Sequence, residues 1–346
     1  MKKIIIVVFL LILLIPCMAP AQDLDPIIRD LSAMFEGVGN DILPYLQQTV
    51  IAGEGIGRAS IGTDSRFYAG FSLGSTFSPG LLTFLDEENY FEMLNVSGLL
   101  DGALGASEGE STILDTFSTF FFFPTLRLTA GVRLPLGMDV SALFSIIPGA
   151  LTGAIANAAG FPGIELRQFN LGIRLRKVLI HDEDGFPAVS IGAGYTYASF
   201  GAGFNIGETL GSAFTQEIGG NYLSLDGAIN METAVHTAGV DFILSKKLLV
   251  FYPFIKISPW YQWGRYNGSI DGFKAAFYTN EDLSGTPIVE TGEGDDPTSL
   301  LTKNDLSLIL AAGFEVALGK FVLTPSGSFD VGTKRFHANL SMRLQF

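Results

Sequence analysis

Three histidines, His181, His236 and His337, are the side chains in this 346-residue chain best suited to proton transfer or to holding a transition metal. They are scattered, and none falls in the His-Glu-x-x-His arrangement that sets two imidazoles on one helix face around zinc. His181 heads the run His181-Asp182-Glu183-Asp184-Gly185, whose carboxylates are hard oxygen donors. That run lacks the length and the closing bidentate Glu of a calcium loop, so it reads as an acidic, solvated turn. A hydrolase needs a nucleophile beside an activating base. His236, with Thr and Ser residues nearby, is the one faint candidate, and nothing in the sequence fixes a third partner. No catalytic residue, metal or cofactor is assigned, and the chain is read as not an enzyme.

The charges say more when placed on strands. Arg127, Arg133, Arg174, Arg176 and Arg343 fall at positions that would point to the inside of a barrel of alternating strands, where Asp226, Asp241 and Glu315 could answer them. Two readings follow. Either these groups pair into a network that fills and rigidifies the interior, which is the favoured one, or they form a charged constriction that selects solutes.

The elements that would carry these residues are legible in the alternation. From Arg335 to the end, Phe336, Ala338, Leu340, Met342, Leu344 and Phe346 alternate without exception with Arg335, His337, Asn339, Ser341, Arg343 and Gln345. Period-two geometry sends one set into lipid and the other into the lumen, and about 10 tilted residues cross the hydrocarbon. The pattern recurs from Phe67, Leu126, Phe169, Val189 and Leu306. Short polar links at Gly319-Lys320, Gly332-Thr333-Lys334 and Ser245-Lys246-Lys247 close hairpins, whereas Pro79 to Asp115, Pro148 to Gly163, Asn205 to Gly219 and Asp271 to Asn304 read as long insertions. The fold class is therefore all-β, a transmembrane antiparallel barrel at 55–346. Its expected strand count is about 12, with 14 the alternative, and 12 strands place all four insertions on the extracellular side.

Composition agrees. Forty-one glycines, 29 phenylalanines and 16% charged residues suit a wall facing lipid, and no segment after the first two dozen residues has the apolar length of a transmembrane helix. A net charge of −14 disfavours nucleic acid as a partner. Met1-Lys2-Lys3, an apolar run from Ile4 to Ile15, and Ala19-Pro20-Ala21 form a signal peptide at 1–21, with cleavage expected after Ala21. Cleavage removes Cys17, the single cysteine, so no disulfide is expected. In the segment at 22–54, Ile27, Ile28, Leu31, Met34 and Phe35 recur at helical spacing behind Asp25-Pro26. This short helix is either a periplasmic tail on the barrel rim or a plug inserted in the lumen.

The signal peptide, the helical lead-in, the Gly- and aromatic-rich strands and the terminal Arg343-Leu344-Gln345-Phe346 together resemble the outer-membrane barrels grouped around the long-chain fatty-acid transporter. The resemblance covers the mature chain in architecture. The region Asp23 to Gln48 carries no Asn-Pro-Ala triplet of that family's hatch, so no binding residue carries over. Phe346 matches the terminal signature read by the barrel-insertion machinery. The signal peptide, the strands and the terminal Phe346 point to a bacterial outer-membrane location with lipids of that membrane as partners, the strand count, lower than that of trimeric porins, points to a monomer, and the resemblance implies passive transport of small hydrophobic molecules. A porin for small polar solutes and a surface adhesin or structural protein with a closed pore are the alternatives.

Overall fold

The computed structural model describes residues 25–51, 57–59, 65–79, 120–147, 165–182, 186–206, 215–218, 221–279, 283, 287, 289–290 and 296–346. The signal peptide, its cleavage site and most of the long insertions lie outside the described residues. One helix, α1 (Asp25–Ile51), precedes β1 (Phe67–Pro79), β2 (Phe120–Leu134), β3 (Met138–Ile147), β4 (Glu165–Ile180), β5 (Ala188–Asn205), β6 (Thr215–Ile218), β7 (Asn221–Ser245), β8 (Phe251–Tyr278), β9 (Val289–Glu290), β10 (Thr298–Leu318), β11 (Phe321–Asp330) and β12 (Arg335–Gln345).

Every pairing is antiparallel, and β1 pairs with β12 to close the sheet, so no long edge is left to recruit another chain. The closing seam is finished by Phe346, whose N–H donates to the Phe67 carbonyl at 2.8 Å. The short strands β6 and β9 pair only with the ends of β7 and β8, continuing the places of β5 and β10 above them. The wall therefore has 10 strands, not 12 or 14. The overcount has a physical reason: β7 and β8 run for 25 and 28 residues, each more than twice what a bilayer crossing needs. Asp271 to Asn304, expected as one insertion, instead holds the top of β8 to Tyr278 and the start of β10 at Thr298.

Both ends of the barrel chain and the turns after β2, β4, β7 and β10, such as Gly319-Lys320, lie at one rim, and the long connections lie at the other together with the short turn between β11 and β12. By the general build of such barrels, the short-turn rim is periplasmic and the other extracellular.

The polarity of the wall inverts along its height. Towards the periplasmic rim the outward residues are apolar, among them Phe242, Leu244, Ile255, Ile257, Leu310 and Leu340, while inward positions are Asp241, Lys256, Ser258 and Ser341. Towards the extracellular rim it is the inward residues that are apolar, Leu223, Leu225, Ile229, Ile270 and Phe277, and buried, whereas Asp226 and Lys274 face outward. A wall in lipid needs the first arrangement and a wall in water the second, so the inversion marks where the strands leave the membrane.

What those inward apolar residues cover is α1, which stands inside the barrel. Its Ile27, Leu31 and Phe35 pack on Ile206, Leu223, Ile229, Tyr266, Ile270 and Phe277 of the extracellular half. At its other end Ile51 packs on Trp260 and Ile309. The helix thus descends from the extracellular half to the level of Trp260, its N-terminus uppermost, packed on inward-facing wall residues along its length. Its 27 residues span about 40 Å, less than the full height of β7 and β8, so it fills the upper lumen and stops at Trp260. Pro26 sits in its first turn, where the missing N–H costs nothing.

Candidate functional site in the barrel lumen

Two close approaches seat the helix. A Cβ placed on Gly268 of β8 would lie 2.7 Å from Phe35, and one on Gly264 would lie 2.7 Å from Leu43, so the wall is hollowed where large helical side chains meet it. On the opposite flank the Tyr45 hydroxyl donates to the Thr76 carbonyl at 2.9 Å, and Thr49 Oγ1 meets Thr76 Oγ1 at 3.0 Å. Thr76 Oγ1 in turn meets His337 Nδ1 at 2.8 Å, which places His337 in a hydroxyl chain between helix and wall. The cavities left against the helix are small, about 50 Å³ beside Val50 and Ile51 and about 10 Å³ beside Leu46 and Thr49.

Below the helix, residues 57–59 cross the periplasmic mouth as a strap. Glu315 of β10 accepts from the Gly57 and Arg58 N–H groups at 2.7 and 3.1 Å. The same carboxylate holds the Arg58 Nε at 2.9 Å and both ends of the Arg343 guanidinium, at 2.8 and 2.5 Å. Arg58 reaches on to Gln345 Oε1 at 2.7 Å and lies over the Tyr252 ring. Its carbonyl accepts from Arg176 Nη1 at 2.7 Å, while Arg176 grips Asp139 through Nε and Nη2. Ala59 N–H donates to Ser245 Oγ at 2.9 Å. The strap is therefore tied to β3, β4, β7, β10 and β12 at once, by charges that are nearly all withdrawn from solvent.

A second group lies in the wall at mid-height. Arg174 Nε stands 3.0 Å from Asp241 Oδ2 and its guanidinium lies over Trp260, with Lys256 Nζ 3.8 Å from the other Asp241 oxygen. Buried charges cost several kcal/mol each unless they are paired and hydrogen-bonded, so both groups commit the wall to one closed arrangement.

Of the eight charges expected in the lumen, Arg127, Arg174, Arg176, Asp241, Glu315 and Arg343 are there, and the last five form the two groups described. Arg127 is buried in a band of Ser72, Ser145 and Ser341. Arg133 shares its face at the periplasmic rim and is half-buried. Asp226 is a correction: it is exposed on the outer wall, opposite Lys274 in register, because it lies an odd number of residues from Asp241 along β7, and the register shift beside it adds its extra residue to β8. His181 and Asp182 belong to a turn clasped by Lys246, whose Nζ lies 2.8 Å from Asp182 Oδ1. His236 lies on the outer wall, bonded to the Tyr195 hydroxyl at 2.7 Å and stacked on Trp263. Sequence reasoning missed Arg58, Asp139 and Lys256, and gave Gln345 only as one of the lumen-facing set at the end of the chain. Lys256 and Gln345 carry the inward phase of their strands, whereas Arg58 lies in a stretch with no periodicity and gave no signal.

No known protein family matches the chain, and no curated protein matches it either. Among solved structures it is similar to the translocator domain of the autotransporter NalP from Neisseria meningitidis, at 8% identity and a TM-score of 0.33 over 90% of this chain and 97% of that one. It is similar to the outer-membrane protease OmpT from Escherichia coli at 11% and 0.37, over 83% and 99%. The toluene transporter TodX of P. putida gives 9% and 0.25, over 82% and 91%. These likenesses assign neither a location nor an activity to this chain, and membership of the fatty-acid transporter group is not shown.

Proposed function

We propose that this is an outer-membrane barrel for passive transport of small hydrophobic molecules, held closed by its own lumenal helix. The observation that carries the reading is the apolar lining of the extracellular half of the lumen, which α1 covers with Ile27, Leu31 and Phe35. If that end of the helix moves aside, the uncovered vestibule is apolar and rings a path to the polar lower lumen. Apolar solutes gain from such a surface about 25 cal/mol per Å² buried. The strap at 57–59 then serves as the hinge that keeps the helix tethered while its top moves. The outer membrane is the inferred location, from the apolar belt of the lower wall and the long connections at one rim.

A closed surface anchor is the second reading, supported by how little space the helix leaves in the lumen. Conductance of the refolded mature protein in a planar bilayer, with and without residues 22–50, separates the readings. A silent intact barrel that conducts when the segment is removed, and that then admits a small aromatic hydrocarbon into vesicles, supports the gated transporter. Silence in both forms supports the anchor, and steady conductance of the intact chain supports a polar-solute porin.

A further inference from the structure

The outer wall carries a groove that neither the strap nor the helix touches. It has a volume of about 660 Å³ and lies across β4, β5, β7 and β8. Two rows of registered residues build it: Arg167, Gly201, Glu232 and Asn267 in one, and Phe169, Ser199, Ala234 and Arg265 in the next. Gly201 in the first row and Ser199 and Ala234 in the second are small, and Gly201 in particular leaves the space over which Arg167 extends, its Nε 3.7 Å from where a Cβ would stand. Relief between flanking arginines and a floor of Gly, Ser and Ala is what makes a groove of a sheet face.

Directly towards the membrane lies a continuous aromatic platform. Phe169 meets Tyr197 at 6.3 Å between ring centroids, Tyr197 meets His236 at 5.0 Å, and His236 stacks on Trp263 at 5.3 Å and 7°. Amphipathic rings of this kind sit at the headgroup level of a bilayer. The next residues down β4, Leu171, Ile173 and Leu175, are exposed and apolar, which places lipid there. Further up, the wall carries Glu165, Asp226 and Asp271, all exposed. Arg167 and Arg265 are thus positive charges at the boundary between lipid and an acidic cap. Both are exposed, and neither is ion-paired to another described residue.

We infer that this groove binds the phosphorylated headgroup of an outer-leaflet lipid. Arg167 and Arg265 take the phosphate oxygens, as guanidinium forks do. Glu232 and Asn267 in the same groove accept hydrogen bonds from hydroxyls of the headgroup, and the acyl chains lie down over Phe169, Tyr197 and Trp263. The occupant is a membrane lipid and not free phosphate, because the groove opens onto the lipid-facing belt and continues into it.

Trp263 supplies the reporter. In a Trp260→Phe background it is the one remaining tryptophan, and brominated acyl chains quench it on contact. The full mature chain is reconstituted in phosphatidylcholine vesicles containing increasing fractions of either brominated phosphatidylglycerol or brominated phosphatidylcholine. Each guanidinium near an anionic surface contributes roughly five-fold, so quenching is expected to half-saturate at a several-fold lower fraction of the anionic lipid. The pair Arg167→Gln and Arg265→Gln should erase that preference, and Arg167→Lys with Arg265→Lys should keep most of it, which shows that the variants fold and that charge is what is read. Equal half-saturation by the two lipids overturns the proposal, as does a preference that survives the glutamine pair. Loss of the preference when inorganic phosphate is added to the same vesicles overturns the choice of a membrane lipid as occupant.

Discussion

Arg343 and Glu315 meet fork to fork inside the barrel wall, with Nη1 to Oε1 at 2.8 Å and Nη2 to Oε2 at 2.5 Å, and the strap's Arg58 closes on the same carboxylate. One carboxylate answering two buried guanidiniums and two backbone N–H groups makes Glu315 the post to which the strap is tied. Glu315→Gln keeps the shape and removes the charge, so both arginines are left buried without a counter-ion. Leaving a buried charge unpaired costs about 3–5 kcal/mol, and the urea midpoint of the refolded barrel should fall accordingly. Removing all three charges together, as Glu315→Met, Arg343→Met and Arg58→Met, should restore a good part of that stability. A triple variant less stable than Glu315→Gln would show that the ion pairs themselves, and not the penalty of breaking them, hold the mouth closed.

The lipid register predicts a dependence on depth. Leu310 faces outward near the middle of the apolar run of β10, whereas Leu300 of the same strand and face lies well above the belt, opposite Asn267 of the groove. Leu310→Arg should cost about 2–4 kcal/mol and Leu300→Arg about 0–1 kcal/mol, read from folding midpoints in lipid vesicles. Equal costs at the two positions would mean that the inversion of polarity along β7, β8 and β10 does not mark the membrane boundary.

That inversion is also where the sequence was most and least readable. In β12 lipid imposes one polarity from end to end, so Phe336 to Phe346 could be assigned residue by residue. In β7 the apolar phase passes from Leu223, Leu225 and Ile229 to Phe242 and Leu244, because the first three face a helix and the last two face lipid. A count of membrane-length runs splits such a strand, which is how 10 strands came to be read as about 12. The lumenal charges on regular strands were legible for the same reason as β12. Arg58 was not, since it is placed by the partners that surround it and not by any local pattern.

The direction of α1 predicts which face of the membrane its start can be reached from. Asp25 is exposed at the extracellular rim and Lys320 is exposed in a periplasmic turn. Cys17 is the one cysteine of the sequence, so in a Cys17→Ser background a single Asp25→Cys or Lys320→Cys is a unique thiol. A membrane-impermeant maleimide added to intact cells should label the first and spare the second, and permeabilised cells should label both. Labelling of Lys320→Cys alone would reverse the orientation of the barrel, and labelling of neither would withdraw α1 from the extracellular rim.

The seat of the helix can be tested without touching a charge. Gly268 is where Phe35 enters the wall, and a Cβ there would stand 2.7 Å from the ring, so Gly268→Leu fills the seat. Overpacking of this kind costs about 1–3 kcal/mol, and the strain falls on the upper half of α1 because β8 is held on both sides by β7 and β10. The variant should keep its strand content and its mobility as a folded barrel, while protease added from outside cuts the helix sooner and single-channel records show openings that the unaltered protein lacks. Phe35→Ala in the same chain removes the clash and should return both readouts towards the original. Openings that persist after Phe35→Ala would place the effect of Gly268→Leu in the wall itself, and the helix would then lose its role as the closure.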